Sequence, residues 1–95
     1  MLKTENIEYL KENVGTFVLM FTADWCGPCA PAKKIINETC VEKNIPAFFL
    51  DVEECTKQAI QYNVTNLPTV MYFRYGEIAD MLAGSIKESD VREML

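Results

Sequence analysis

Along the chain the spacing of hydrophobic positions switches repeatedly between a helical period and continuous apolar runs. Ile7, Leu10 and Val14 recur at i, i+3 and i+7 in a polar setting, which predicts an amphipathic helix over 5–13 ending near Gly15. The run 17–21, FVLMF, has no polar member and reads as a strand covered on both faces, as in parallel sheets. Ile35, Ile36 and Cys40 predict a helix from about Cys26 to about Glu42, with Pro31 in or just past its first turn, where a missing N–H costs least. PAFFLD at 46–51 predicts a second buried strand, and 56–62 a short helix closed by Asn63. TVMYF at 69–73, a tight turn at Tyr75-Gly76 and a partner strand at 77–82 form a hairpin. Ser85 and Glu88 have capping-box spacing, so a last helix should cover 86–95.

The predicted order is α-β-α-β-α-β-β-α. Parallel strands joined through helices require right-handed crossovers, and the hairpin adds antiparallel pairing. An α/β fold follows, with one mixed sheet flanked by helices on both faces.

Composition narrows the function. With 95 residues, 49% of them hydrophobic, the chain suits one domain over 1–95 with a modest core. There is no apolar run of membrane-spanning length and no basic leader followed by an apolar segment, so neither a span nor a secretory signal is expected. Net charge is −5 and the nine Lys and Arg are scattered, which argues against nucleic acid or an anionic membrane as partner. Histidine is absent, which removes Ser-His and Cys-His nucleophile pairs and His-ligated metals. Any catalysis must then rest on cysteine. Four cysteines with no visible export signal point to a reducing cytoplasm rather than a secreted disulfide scaffold.

Trp25-Cys26-Gly27-Pro28-Cys29 follows the first long apolar run. Residues i and i+3 on a helix have Cα atoms roughly 5–6 Å apart, within the span of a disulfide. Such a bond closes a tiny ring and restrains the unfolded chain little, so it is better suited to being made and broken than to stapling the fold. The stretch reads as a redox site.

WCGPC after a strand, together with Asn66-Leu67-Pro68-Thr69 before a later one and glycines at 76 and 84, resembles the thioredoxin family over nearly the whole chain. The resemblance implies the thioredoxin fold and a small cytoplasmic reductant of protein disulfides. It implies a monomer with no cofactor or metal of its own, recharged by a flavin-dependent thioredoxin reductase. Only Met1 to Lys3 precede the first helix and the last helix is short, so the first edge strand should be vestigial or missing, leaving about four principal strands. Cys26, at the positive end of a helix dipole worth about 0.3–2 kcal/mol to an anion, should be the attacking thiolate. Cys29, a turn deeper, should resolve the mixed disulfide. Gly27 and Pro28 restrain the backbone between them. By resemblance Pro68 is cis beside the dithiol, leaving the Leu67 backbone free to pair with an extended substrate. Trp25 is either a core indole or an exposed platform for substrate, and Val52, Leu67, Ala83 and Gly84, with Ser85, should complete an apolar rim.

Two positions depart from the family pattern. A buried Asp and its Lys partner are expected where this chain has Met20 and Phe49. In the family that carboxylate is thought to accept the proton of the buried cysteine; here water or Asp24 would have to take it. The helix length separates Cys40 from the motif by about 20 Å. Cys40 should therefore be a small buried hydrophobe, and Cys55, at the opposite end of the sheet, either an exposed thiol open to oxidation or an idle one. Two other readings compete: a metal protein using Cys26, Cys29, Cys40 and Cys55, and a non-catalytic subunit of the same fold that clasps a partner.

Overall fold

A computed structural model describes residues 1–95. The strands are β1 (Leu2–Lys3), β2 (Phe17–Thr22), β3 (Ala47–Asp51), β4 (Thr69–Arg74) and β5 (Glu77–Ala83), in the sheet order β1-β3-β2-β4-β5. The helices are α1 (Ile7–Asn13), α2 (Cys29–Lys43), α3 (Thr56–Gln61) and α4 (Glu88–Met94). β1, β3 and β2 run parallel; β4 pairs antiparallel with β2 and with β5. This is the thioredoxin fold, with four principal strands and the first edge strand reduced to two residues but present.

The apolar run in β2 is explained by burial on both faces. Val18 and Met20 point into a cluster with Val70 of β4, Ala32, Ile36 and Cys40 of α2 and Val91 of α4. Phe17, Leu19 and Phe21 alternate to the other face and pack with Met71 and Phe73 of β4, Leu50 of β3 and Ile7 and Leu10 of α1. Phe17 and Phe73 stack with ring centroids 4.6 Å apart. β2 is thus the rigid centre of the sheet, and its C-terminal end sets the position of the WCGPC segment.

Several boundaries move, each for a local reason. α1 begins at Ile7, not residue 5, because the Asn6 side chain caps it by accepting the Tyr9 N–H at 2.9 Å. Val14 ends that helix and is exposed rather than buried. In β3 only Leu50 is fully buried; Phe48 and Phe49, the register partners of Leu2 and Lys3 of β1, are half-buried. α4 starts at Glu88; Lys87 stays extended (φ −102, ψ 152), Ile86 packs on the core, and the Ser85–Glu88 capping box does not form. The hairpin turn has Tyr75 at φ 53 and Gly76 at φ 78, as a two-residue turn of positive φ requires. A Cβ on Gly76 would lie 3.2 Å from the Lys11 carbonyl oxygen, so this turn is also where the hairpin packs against α1.

Candidate active site

Cys26 and Cys29 form a disulfide with their Cα atoms 5.4 Å apart. The bond does not span the first helical turn, as the sequence suggested. Cys26 sits in the loop after β2, its N–H donating to the Ala23 carbonyl at 3.1 Å, and α2 begins only at Cys29 with Pro28 at its cap. Gly27-Pro28 makes the turn between them, and the Cys29 N–H donates to the Cys26 carbonyl at 3.3 Å. Of the two sulfur-bearing residues Cys26 is the more accessible, 9% against 3% exposed.

The start of α2 is electrostatically uncompensated. Its first turn holds no acidic residue and its cap supplies no side-chain hydrogen bond. The amides of Gly27 and Ala30 have no backbone partner, and Pro31 has no N–H. The partial positive charge at the start of this 15-residue helix lies beside Cys26 and favours its thiolate once the bond is reduced.

The Leu67–Pro68 peptide is cis. Pro68 is buried and its carbonyl accepts the Gly84 N–H at 3.0 Å, tying the loop before β4 to the loop after β5. Thr69 pairs in register with Ala83, and its hydroxyl donates to the Asn66 carbonyl at 2.5 Å. The N–H and C=O of Leu67 have no partner within the chain. Leu67 and Val52 both pack against the cluster that contains Cys26 and Cys29. Ala83 and Ser85 are exposed and Gly84 partly so, while Gly27 and Pro28 stand open to solvent. Trp25 is 68% exposed, so it is not a core indole.

Met20 and Phe49 are direct register partners across β2 and β3. Met20 is fully buried in the cluster of Cys29, so apolar groups fill both positions where the resemblance expects an ion pair. A cavity of about 290 Å³ opens beside the disulfide, with Cys26, Cys29, Asp24, Lys33, Phe49 and Asp51 in its wall. Sequence reasoning placed Asp24 near this point and missed Lys33 and Asp51. Lys33 could have been found from its i+4 spacing to Cys29, which puts both on one face of α2.

The other cysteines do not join the site. Cys40 lies in the cluster under α2 and α4, and Cys55 in the cluster on the opposite face of the sheet. No group of three His, Cys, Asp or Glu side chains is arranged to hold a metal ion, so the four-cysteine site is not formed. Cys55 is buried rather than exposed, because it opens α3 with its N–H donating to the Asp51 carbonyl at 2.9 Å. Burial pushes the Cys40 thiol up to about 11, against a smaller opposing effect of the N-terminal ammonium. The Cys55 thiol is also raised, first by burial and then by the Glu5, Glu54 and Asp51 carboxylates. Thiolate is the reactive form, and burial keeps the Cys40 thiol protonated at pH 7. In native reduced protein at neutral pH, iodoacetamide should label Cys26 and leave Cys40 and Cys55 intact until denaturant is added, as peptide mass mapping would show. Native labelling of Cys40 or Cys55 at the rate of a free thiol would contradict this placement.

A family model described as thioredoxin matches residues 2–95. The chain is 33% identical over 79 residues to a thioredoxin of Mycoplasmoides gallisepticum, covering 82% of this chain and 79% of that protein. It is 30% identical over 90 residues to the chloroplastic thioredoxin M-type of Spinacia oleracea, covering 93% of this chain but only 50% of the spinach protein. Among solved structures, a mutant thioredoxin from Halobacterium salinarum NRC-1 superposes with a TM-score of 0.87 at 24% identity, covering 98% of this chain and 85% of that one.

Proposed function

This chain belongs to the thioredoxin family and is a thiol–disulfide oxidoreductase, and on that premise we propose that it reduces partner-protein disulfides with Cys26 as nucleophile and Cys29 as resolving thiol. The observation that carries this reading is the placement of two bondable sulfurs against the uncapped start of α2, the outer one more accessible. Reduced Cys26 attacks a substrate disulfide as thiolate; one substrate sulfur leaves and the other stays bound in a mixed disulfide. Cys29 then attacks the Cys26 sulfur, re-forming the intramolecular bond and releasing the second substrate thiol. The two electrons gained by the substrate are those lost by the dithiol.

Residues 1–95 act as one domain. An extended substrate segment pairs with the free N–H and C=O of Leu67 and lies across Val52, Ala83 and Gly84, with Trp25 as the flanking platform. Gly27 and Pro28 hold the two sulfurs at bonding distance and Pro68 fixes the facing loop. In support, Leu67 is the residue on this rim whose backbone is unpaired while its side chain packs toward the cysteines. A flavin-dependent thioredoxin reductase restores the dithiol, and the protein works as a cytoplasmic monomer. No helix is long and apolar enough to cross a membrane. With dithiothreitol as electron source, micromolar protein should accelerate insulin disulfide reduction at least roughly tenfold over dithiothreitol alone, read as turbidity. No acceleration by folded protein would overturn the reading.

A further inference from the structure

The mechanism above leaves one event without an agent: Cys29, 3% exposed, must become an anion before it can attack Cys26. An anion in an apolar cluster is costly unless a positive charge or hydrogen bonds meet it. The start of α2 contributes part of this, yet Cys29 lies inside the helix rather than ahead of it. The cavity beside the disulfide holds what else is available.

Lys33 is four residues after Cys29 in α2, one turn along the same face, and it lines that cavity. Its side chain turns inward over the sheet: Nζ lies 3.5 Å from the centroid of the Phe49 ring on β3. None of the four ion pairs of the chain involves Lys33. The other charged groups in the cavity wall are Asp24 from the loop before α2, Asp51 at the end of β3 and Lys3 of β1. Lys3 is paired with Glu54, and Asp51 Oδ1 accepts the N–H groups of Glu53 and Glu54. Of the two ammonium groups in the cavity wall, Lys33 is thus the one without a carboxylate partner.

The geometry points to Lys33 as a positioning residue for resolution: its ammonium, held over the Phe49 ring, stabilises the Cys29 thiolate as that thiolate attacks Cys26. This deepens the proposed function and rests on it. In the step, the Cys29 S–H gives its proton to water in the cavity. The sulfur's electron pair then forms the Cys26–Cys29 bond while the bond from Cys26 to the substrate sulfur breaks. The substrate sulfur leaves with that electron pair and takes a proton from solvent. Lys33 keeps its proton throughout and acts by charge alone.

Mixing the reduced protein with excess chromogenic aryl disulfide in a stopped-flow instrument separates the two attacks, since one aryl thiolate is released when Cys26 reacts and a second when Cys29 resolves. An opposite charge within ~4–6 Å moves a titration by about one to three units, and the open cavity favours the low end. In Lys33→Met the first release should stay within about twofold of wild type. The second should slow about tenfold at pH 7, with its pH midpoint raised by about one unit. Lys33→Arg should restore both, and Lys33→Gln should behave as Lys33→Met, with thermal midpoints confirming that every variant is folded. A second release unchanged in rate and midpoint in both neutral variants would overturn the role of Lys33. Failure of Lys33→Arg to recover it would do the same, by showing that shape and not charge matters. A wild-type protein with no first release would instead bring down the assignment of Cys26 itself.

Discussion

A Cys26→Ser variant is expected to lose disulfide reduction altogether, by roughly a thousandfold or more, while folding normally. The hydroxyl is almost wholly protonated at neutral pH and forms no disulfide, so neither the attack nor the mixed intermediate survives. Cys29→Ser should behave differently: it attacks once and stops, accumulating a mixed disulfide that non-reducing electrophoresis detects and dithiothreitol reverses. The asymmetry follows from the loop position of Cys26 and the deeper position of Cys29 in α2. Stability should be nearly untouched, because only two residues lie between the cysteines and the ring restrains the unfolded chain little. The same variants decide between an oxidoreductase and a clasping subunit. A protein that works by binding alone keeps its function with both cysteines replaced, whereas a redox carrier does not. If Cys29→Ser turned over like wild type, intramolecular resolution would be refuted and substrate release would have to use an external thiol.

The parts of this molecule that were legible in advance are those where local chemistry and global fold demand the same thing. FVLMF in β2 could only be a strand buried on both faces, and the structure supplies a core on each. Tyr75-Gly76 announced a hairpin because two successive residues of positive φ are needed there. Misreadings occur where a tertiary contact overrides a local signal. Ser85 had the spacing of a cap, but Ile86 reaches the core by way of an extended Lys87, and the helix waits until Glu88. Cys26 looked like a first-turn residue because i, i+3 spacing gives nearly the same Cα separation in a helix as in the Gly27-Pro28 turn. Cys55 was left between an exposed thiol and an idle one, and its place at the opening of α3 puts it in the core. Lys33 was invisible for another reason: a lysine on a helix usually faces solvent, and only the three-dimensional position of Phe49 shows it turned inward.

Met20→Asp is the substitution expected to change most besides Cys26→Ser, and its effect should depend on pH in a way that identifies its cause. Met20 is fully buried, and its partner across the sheet is the Phe49 ring, which offers no hydrogen bond. An unpaired carboxylate there should cost about 3–5 kcal/mol at neutral pH. A domain of this size has only about 5–14 kcal/mol to lose, so the thermal midpoint should fall by about 15 °C or more. Burial raises the folded-state carboxyl above its unfolded value near 4, so between those values the folded protein holds a proton that the unfolded chain has released. Stability of the variant therefore falls as pH rises through that interval and levels off above it. Urea midpoints from pH 4 to pH 8 should show the gap to wild type smallest in acid and widest near neutrality. A gap independent of pH would assign the loss to shape rather than charge. Adding Phe49→Lys places an ammonium opposite the carboxylate, and the double variant should recover about 1–3 kcal/mol relative to the sum of the single changes. The same carboxylate faces the cluster of Cys29 and gives its proton an acceptor other than water. Resolution in Met20→Asp should then lose part of its dependence on pH; an unaltered profile would show that proton transfer from Cys29 does not limit the step and that the charge of Lys33 suffices.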